Sequence, residues 1–225
     1  MAPAIYADRE EAGRVLADAI KRSLKADLHD GKPLVLAIPR GGVVLGCEAA
    51  EALAADLDLV VPRKVGAEYQ PEFALGAVMS DGTFYVDEAS VRLTGASSEY
   101  VESEKARQMA EAKRRLEAYR MGREEPKISG RVVVVVDDGV ATGATMIVSL
   151  RWARSKGARL VVAAAPVAPA STLVALREEA DRVVCPHTPE PFHAIGAFYE
   201  RFEQVTDAEV EEALRNFWAR ADRPR

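Results

Sequence analysis

Cysteine, histidine and asparagine are scarce in this chain of 225 residues, and each scarcity narrows its chemistry. The two cysteines, Cys47 and Cys185, lie far apart and form no CxxC pair, which argues against a disulfide framework or a structural zinc site. Cys185, His187 and His193 come nearest to a metal cluster, but their spacing matches no ligand set. Asn216 is the only asparagine, and arginine outnumbers lysine 22 to 8, a bias that fits a heat-adapted or a GC-rich source and does not separate the two. Long hydrophobic runs are missing too: Leu160 to Ala165 stops at Pro166. The first residues carry no basic stretch followed by an apolar core, so a soluble, cytoplasmic protein is expected. Excess positive charge is also lacking. With 30 basic and 35 acidic side chains the net charge is −5, which argues against a nucleic-acid face but leaves room for a small anion bound by a few local cations.

What is present is an alternation of short apolar strands and helical patterns. Asp8 and Glu11 form a capping-box pair ahead of Ala12, Val15, Leu16, Ala19 and Ile20, which predicts a helix over residues 8–27. Leu34 to Ile38 is a wholly apolar run, as in a strand buried on both faces. A turn at Pro39-Arg40-Gly41-Gly42, a helix over Val43 to Asp56 and a strand at Leu59 to Val61 complete a βαβ unit. Arg131 to Val136, with five consecutive valines, resumes the pattern. A helix over Gly143 to Lys156, a strand at Leu160 to Ala165, a helix over Ala170 to Ala180 and a strand at Arg182 to Cys185 follow. The expected fold is α/β, a doubly wound parallel sheet in a single domain over 1–225, with its core at 34–65 and 131–185.

Residues 66–128 read as an excursion between core strands. Phe73 to Met79 and Thr83 to Val86 flank Ser80-Asp81-Gly82 as a hairpin, and Ser98 to Met121 is a charged helix with a thin stripe of Met109, Ala112, Leu116 and Tyr119, ended by Gly122. Its charge run suits a solvated face with i,i+4 pairs or, as the sharper alternative, an arm that binds a partner. Residues 186–225 are Pro-rich and aromatic and finish in a helix capped by Thr206 with Glu209, with Val210, Leu214 and Phe217 inward.

The chemistry concentrates after the valine strand, in Asp137-Asp138-Gly139-Val140-Ala141-Thr142-Gly143-Ala144-Thr145. Ligands of open α/β sheets bind at the carboxyl ends of the strands. A small-residue loop entering a helix offers N–H groups and a positive dipole end to a phosphate. Carboxylates repel that phosphate, so Asp137 and Asp138 should meet hydroxyls or a divalent cation. Phosphate at one end and a diol beside it describe a ribose 5-phosphate. The plain alternative is an Asp pair that only caps a turn. Arg40-Gly41-Gly42 and Arg63-Lys64, at two other strand ends, would supply a cationic floor.

Val133 to Thr145 resembles the 5-phosphoribosyl 1-pyrophosphate (PRPP) motif of the type I phosphoribosyltransferases, apolar residues and two acids followed by a loop ending in Thr-Gly-x-Thr. The resemblance implies a Mg²⁺-dependent transfer of the phosphoribosyl group of PRPP to a nitrogenous base or amine with release of pyrophosphate. By that likeness Asp137 and Asp138 hold the ribose hydroxyls, and Ala141, Thr142, Gly143, Ala144 and Thr145 hold the 5′-phosphate. Arg40, Gly41, Gly42, Arg63 and Lys64 meet the pyrophosphate, with Lys64 a catalytic candidate and the Arg40 loop a place where the family often has unusual peptide geometry. Mg²⁺ would be held mainly by PRPP, with water-mediated help from Asp137 and no direct protein ligand. Residues 66–128 correspond to the family's mobile catalytic loop. Residues 186–225 correspond to the hood over the acceptor, with Phe192, His193, Ile195 and Tyr199 as candidates to face the base and the helix over 8–27 packed nearby.

Ala141 stands where hypoxanthine-guanine enzymes carry an acid, so that specificity does not carry over, while adenine-type enzymes can have alanine there. A homodimer is expected, without nucleic-acid or membrane partners. The alternative function is a catalytically silent PRPP- or nucleotide-binding regulator of the same fold. A phosphatase or kinase is disfavoured, since no Walker lysine follows the loop.

Overall fold

The computed structural model describes residues 4–29 and 31–221, so the two ends of the expected 1–225 domain lie outside the described residues. Five strands form a parallel sheet in the order β2-β1-β6-β7-β8: β1 (Leu34–Ala37), β2 (Asp56–Leu59), β6 (Val132–Val136), β7 (Leu160–Ala164) and β8 (Arg182–Val184). The chain winds outward from β1 in one direction and from β6 in the other, so β1 and β6 flank the point where strand order reverses. Ala37 pairs in register with Val136, so the loops that leave these two strands start side by side. That crevice is where open α/β sheets bind ligands.

The valine run is apolar throughout because both of its faces are covered. Val132, Val134 and Val136 face a core built with α1 (Arg9–Ser23), α2 (Gly42–Leu53) and the last helix, α7 (Asp207–Ala221). Val133 and Val135 face the opposite core with α5 (Ala144–Ser155) and α6 (Ala170–Glu179). Burying each valine contributes on the order of 2 kcal/mol, so this strand holds both layers. The Asp8–Glu11 pair caps the helix, with the Glu11 N–H donating to Asp8 at 2.9 Å, while Glu11 reaches one residue past the cap and accepts from the Ala7 N–H at 2.6 Å. Val15, expected on the inward face of that helix, is exposed, because the buried stripe runs through Ala12, Gly13, Leu16, Ala17 and Ile20.

The second helix and strand begin and end earlier than their apolar pattern predicts. Ala54 takes a left-handed conformation, φ 49°, and closes α2 at Leu53; the Asp56 N–H then donates to the Pro33 carbonyl, and β2 runs over Asp56–Leu59 instead of Leu59 to Val61. Asp56 and Asp58 hid this strand, since a doubly charged segment does not read as sheet interior. Asp58 is nonetheless buried, ion-paired at 2.8 Å with Arg120.

The excursion holds more than a hairpin. β3 (Arg63–Ala67), β4 (Gln70–Val78) and β5 (Phe84–Val86) make an antiparallel sheet that starts at Arg63. Helix α3 (Glu88–Thr94), capped by Asp87, and helix α4 (Ser98–Arg120) follow. Val101, Ala112 and Tyr119 of α4 are buried, and its outer face carries Glu104–Arg107 and Glu111–Arg114 pairs. Met121 and Gly122 adopt positive φ and end the helix. No helix among the described residues is long and apolar enough to cross a membrane.

The Asp58–Arg120 pair thus joins the excursion to the parallel sheet, and it yields a stability test. Asp58→Ala strands a buried guanidinium and is expected to cost roughly 3–5 kcal/mol in urea unfolding. The double substitution Asp58→Leu with Arg120→Met should restore most of that loss.

Candidate functional site

At the sheet's reversal point the two glycine-bearing and acid-bearing loops touch. A Cβ on Gly41 would fall 1.8 Å from Asp138 Oδ2, and one on Gly42 would fall 2.7 Å from the Val136 carbonyl oxygen. Only glycine lets the Arg40 loop close against the acids here. The Pro39–Arg40 peptide is cis.

Asp138 is the hub of this contact. Arg9, the first residue of α1, donates from Nε to Asp138 Oδ2 at 2.8 Å and from Nη1 to the Glu203 carbonyl at 2.7 Å. The Arg9 guanidinium also lies 3.7 Å from the centroid of the Phe202 ring. Tyr199, expected to face an acceptor base, is buried and donates its hydroxyl to the Asp138 carbonyl at 2.6 Å. Its phenol edge is committed to the backbone of the acid loop, so it supports the site from within.

Of the other hood candidates, Phe192 packs against Phe198 at 4.9 Å and His193 is exposed. Ile195 sits directly on Gly139, where a Cβ would come within 2.4 Å of its Cγ2. The N-terminal segment is stitched to the hood by the Ile5 N–H to the Phe198 carbonyl and the Glu200 N–H to the Tyr6 carbonyl, both 2.9 Å.

Beyond the acids, Gly143 turns the chain at φ +89° into α5. No side chain caps this helix and no acid occupies its first turn, so its leading N–H groups have no side-chain or intrahelical acceptor. Ala141 and Thr142 are exposed, and Thr172 donates to the Ala141 carbonyl and holds the loop's shape.

The two cationic stretches are placed differently. Arg40 Nη1 lies 3.7 Å from Asp207 Oδ1. Arg63 and Lys64 open β3, where Arg63 donates to Gln108 of α4 at 3.0 Å and Lys64 to the Glu72 carboxylate of β4 at 2.8 Å. Their partners belong to the excursion, and neither is in contact with the acid pair. Cys185 bonds the His187 carbonyl, and no group of three His, Cys, Asp or Glu residues among those described could hold a metal ion.

Sequence reasoning missed Arg9. A cation in the first turn of a helix opposes the macrodipole, and that mismatch was the one local sign that an outside carboxylate holds it.

Burial pushes both acids above the ordinary carboxylate range. For Asp137 the neighbouring Asp138 charge adds to the effect, whereas for Asp138 the Arg9 bond opposes it. A carboxyl with a raised folded-state pKa takes stability away as pH climbs from the ordinary carboxylate range through the raised value, and the penalty is complete above it. Asp137→Asn should therefore raise Tm at pH 8 by roughly 2–6 °C, an advantage that shrinks as pH falls toward 4 in a calorimetric series.

Comparison with known proteins identifies the family and the fold. The phosphoribosyl transferase domain family matches residues 5–200. A Mycobacterium tuberculosis (strain H37Rv) protein, named provisionally as the phosphoribosyl transferase Rv0571c, is 40% identical over 206 residues, 92% of this chain. The chain spans only 45% of the length of that relative. The crystal structure of TT1426 from Thermus thermophilus is 43% identical with a TM-score of 0.77, covering 94% of this chain and 98% of that one. The AQ2163 protein from Aquifex aeolicus shares the fold at 14% identity, TM-score 0.53, covering 84% of this chain and 78% of its own. By sequence match and by the architecture that carries the acid loop, this chain belongs to the phosphoribosyl transferase domain family.

Proposed function

We propose that the protein transfers the phosphoribosyl group of PRPP to a nitrogenous base or amine and releases pyrophosphate. The observation that supports this reading is the contact of Gly41 with Asp138 beside an uncapped helix N-terminus, which brings the glycine loop, the acid pair and the loop entering α5 together.

In this reading Asp137 and Asp138 accept hydrogen bonds from the ribose 2′- and 3′-hydroxyls. The hydroxyl protons relieve the mutual repulsion of the acids, which favours binding where the unliganded pair is least comfortable. The N–H groups of Ala141 to Thr145 take the 5′-phosphate, and the Thr142 and Thr145 hydroxyls add donors. Arg40, with the Gly41 and Gly42 backbone, meets the pyrophosphate, and Arg63 and Lys64 extend the cationic side.

The C1′–oxygen bond to pyrophosphate breaks and a C1′–nitrogen bond forms through an oxocarbenium-like transition state. No side chain attacks covalently. The protein's work is to hold both ends of the sugar, stabilise charge leaving with pyrophosphate and exclude water. Ile195, Phe192 and His193 bound the acceptor side.

A magnesium ion fits this donor set only in part. The residues offer no cage, but the Asp137 carboxylate is a hard acceptor that would hold a PRPP-bound magnesium through its waters. When bound, Mg²⁺ neutralises charge on the departing pyrophosphate.

Pyrophosphate release from PRPP with a panel of purine and pyrimidine bases and simple amines tests the reading. Release with at least one acceptor is expected, whereas tight PRPP binding with no turnover would point to a silent sensor. Asp138→Asn should weaken PRPP roughly 10–100-fold in a calorimetric titration, the loss of a charge-assisted bond. Unchanged affinity would remove Asp138 from the site.

A further inference from the structure

Arg40 is the one cation carried by the glycine loop itself, and its side chain is long and only partly covered. Two helices from distant parts of the chain meet beside it. Asp207 is the first residue of α7, where the helix dipole favours a carboxylate. The helix start is fixed by the Thr206–Glu209 box, with bonds of 2.7 and 3.2 Å. Further along, the Trp218 indole N–H donates to the Leu57 carbonyl at 2.8 Å and docks α7 on β2.

Tyr119, in the last turn of α4, is 2% exposed and donates its hydroxyl to Asp207 Oδ1 at 2.6 Å. Burial, reinforced by that bond, pushes the phenol up to about 12, so it remains a donor at any working pH. The next residue, Arg120, is locked to buried Asp58. The same oxygen, Asp207 Oδ1, lies 3.7 Å from Arg40 Nη1. This is an electrostatic guide at the edge of ion-pair range, not a closed hydrogen bond, so Arg40 can leave it for a stronger anion.

We propose that Tyr119 and Asp207 are positioning residues for Arg40, holding its guanidinium ready for the pyrophosphate group. This inference rests on the phosphoribosyl-transfer reading. It gives the excursion a role in the site, since α4 reaches the anion loop through a fixed hydroxyl and the C-terminal helix supplies the carboxylate between them. Tyr119 and Asp207 touch no substrate; their effect passes through Arg40.

Calorimetric titration of the full chain with magnesium pyrophosphate and, separately, ribose 5-phosphate tests the proposal. The variants are Tyr119→Phe, Asp207→Asn, Arg40→Ala and the double Arg40→Ala/Tyr119→Phe. Tyr119→Phe and Asp207→Asn should each weaken pyrophosphate roughly three- to tenfold and leave ribose 5-phosphate unchanged. In the Arg40→Ala background Tyr119→Phe should have no further effect, because the group it positions is gone. Equal losses for both ligands, unchanged pyrophosphate affinity or additive losses in the double variant would each overturn the proposal while wild type still binds. Wild-type protein that bound neither ligand would overturn the phosphoribosyl reading, and this inference with it.

Discussion

Two adjacent carboxylates sit at the end of a strand that is buried on both faces, and the surrounding structure is arranged to tolerate them. Left unpaired, such a site would cost several kcal/mol. Arg9 neutralises one acid, the Asp138 N–H donates to Asp137 at 2.9 Å, and the Tyr199 hydroxyl binds the Asp138 carbonyl. Arg9 reaches this loop from the N-terminal helix and Tyr199 from the hood, and Gly41 of the glycine loop closes against Asp138. The N-terminal helix, the hood and the glycine loop are therefore all tied to one point, and the hood cannot shift far without disturbing the acids. A site kept under electrostatic tension is also one where hydroxyl donors or a cation are welcome.

The same need to compensate buried charge explains the excursion. Its charged helix was expected to present a solvated face with i,i+4 pairs or to act as an arm that binds a partner. The outer face carries such short-range ion pairs, of little energetic weight, and α4 is clamped at its C-terminal end by two polar contacts, the buried Arg120–Asp58 pair and the part-buried Tyr119–Asp207 bond. The two clamping contacts hold its C-terminal end. They lead to the strand beside β1 and to the helix that faces Arg40, so the inserted element is built against the site.

Much of the fold could be read from periodicity. The valine run, the apolar Leu34 strand and the strand–helix alternation each signal a parallel sheet covered on both sides, and the sheet has that form. β2 was expected three residues too late, at Leu59 to Val61, because its buried Asp58 is compensated by a residue 62 positions away, a pairing that no local pattern encodes. The three-stranded excursion sheet was half legible, since β4 and β5 flank a turn signal, while Arg63 and Lys64 read as a strand-end pair and not as the start of β3. Tyr199 looked like a ring for a base because an aromatic in a Pro-rich segment carries no sign of where its hydroxyl goes.

Local chemistry was thus settled by the chain itself: a strand ending in Asp137-Asp138, a loop that must use glycine at Gly143 to enter a helix, and a second loop with two glycines. These are short-range requirements of backbone and charge, visible wherever the residues stand in order. Which groups answer them is a matter of long-range packing. Arg9 and Asp138 are 129 residues apart, and Tyr119 and Asp207 are 88 apart, so neither pair has a sequence signature. Each exists because the tertiary fold packs α1 against the acid loop and α4 against α7.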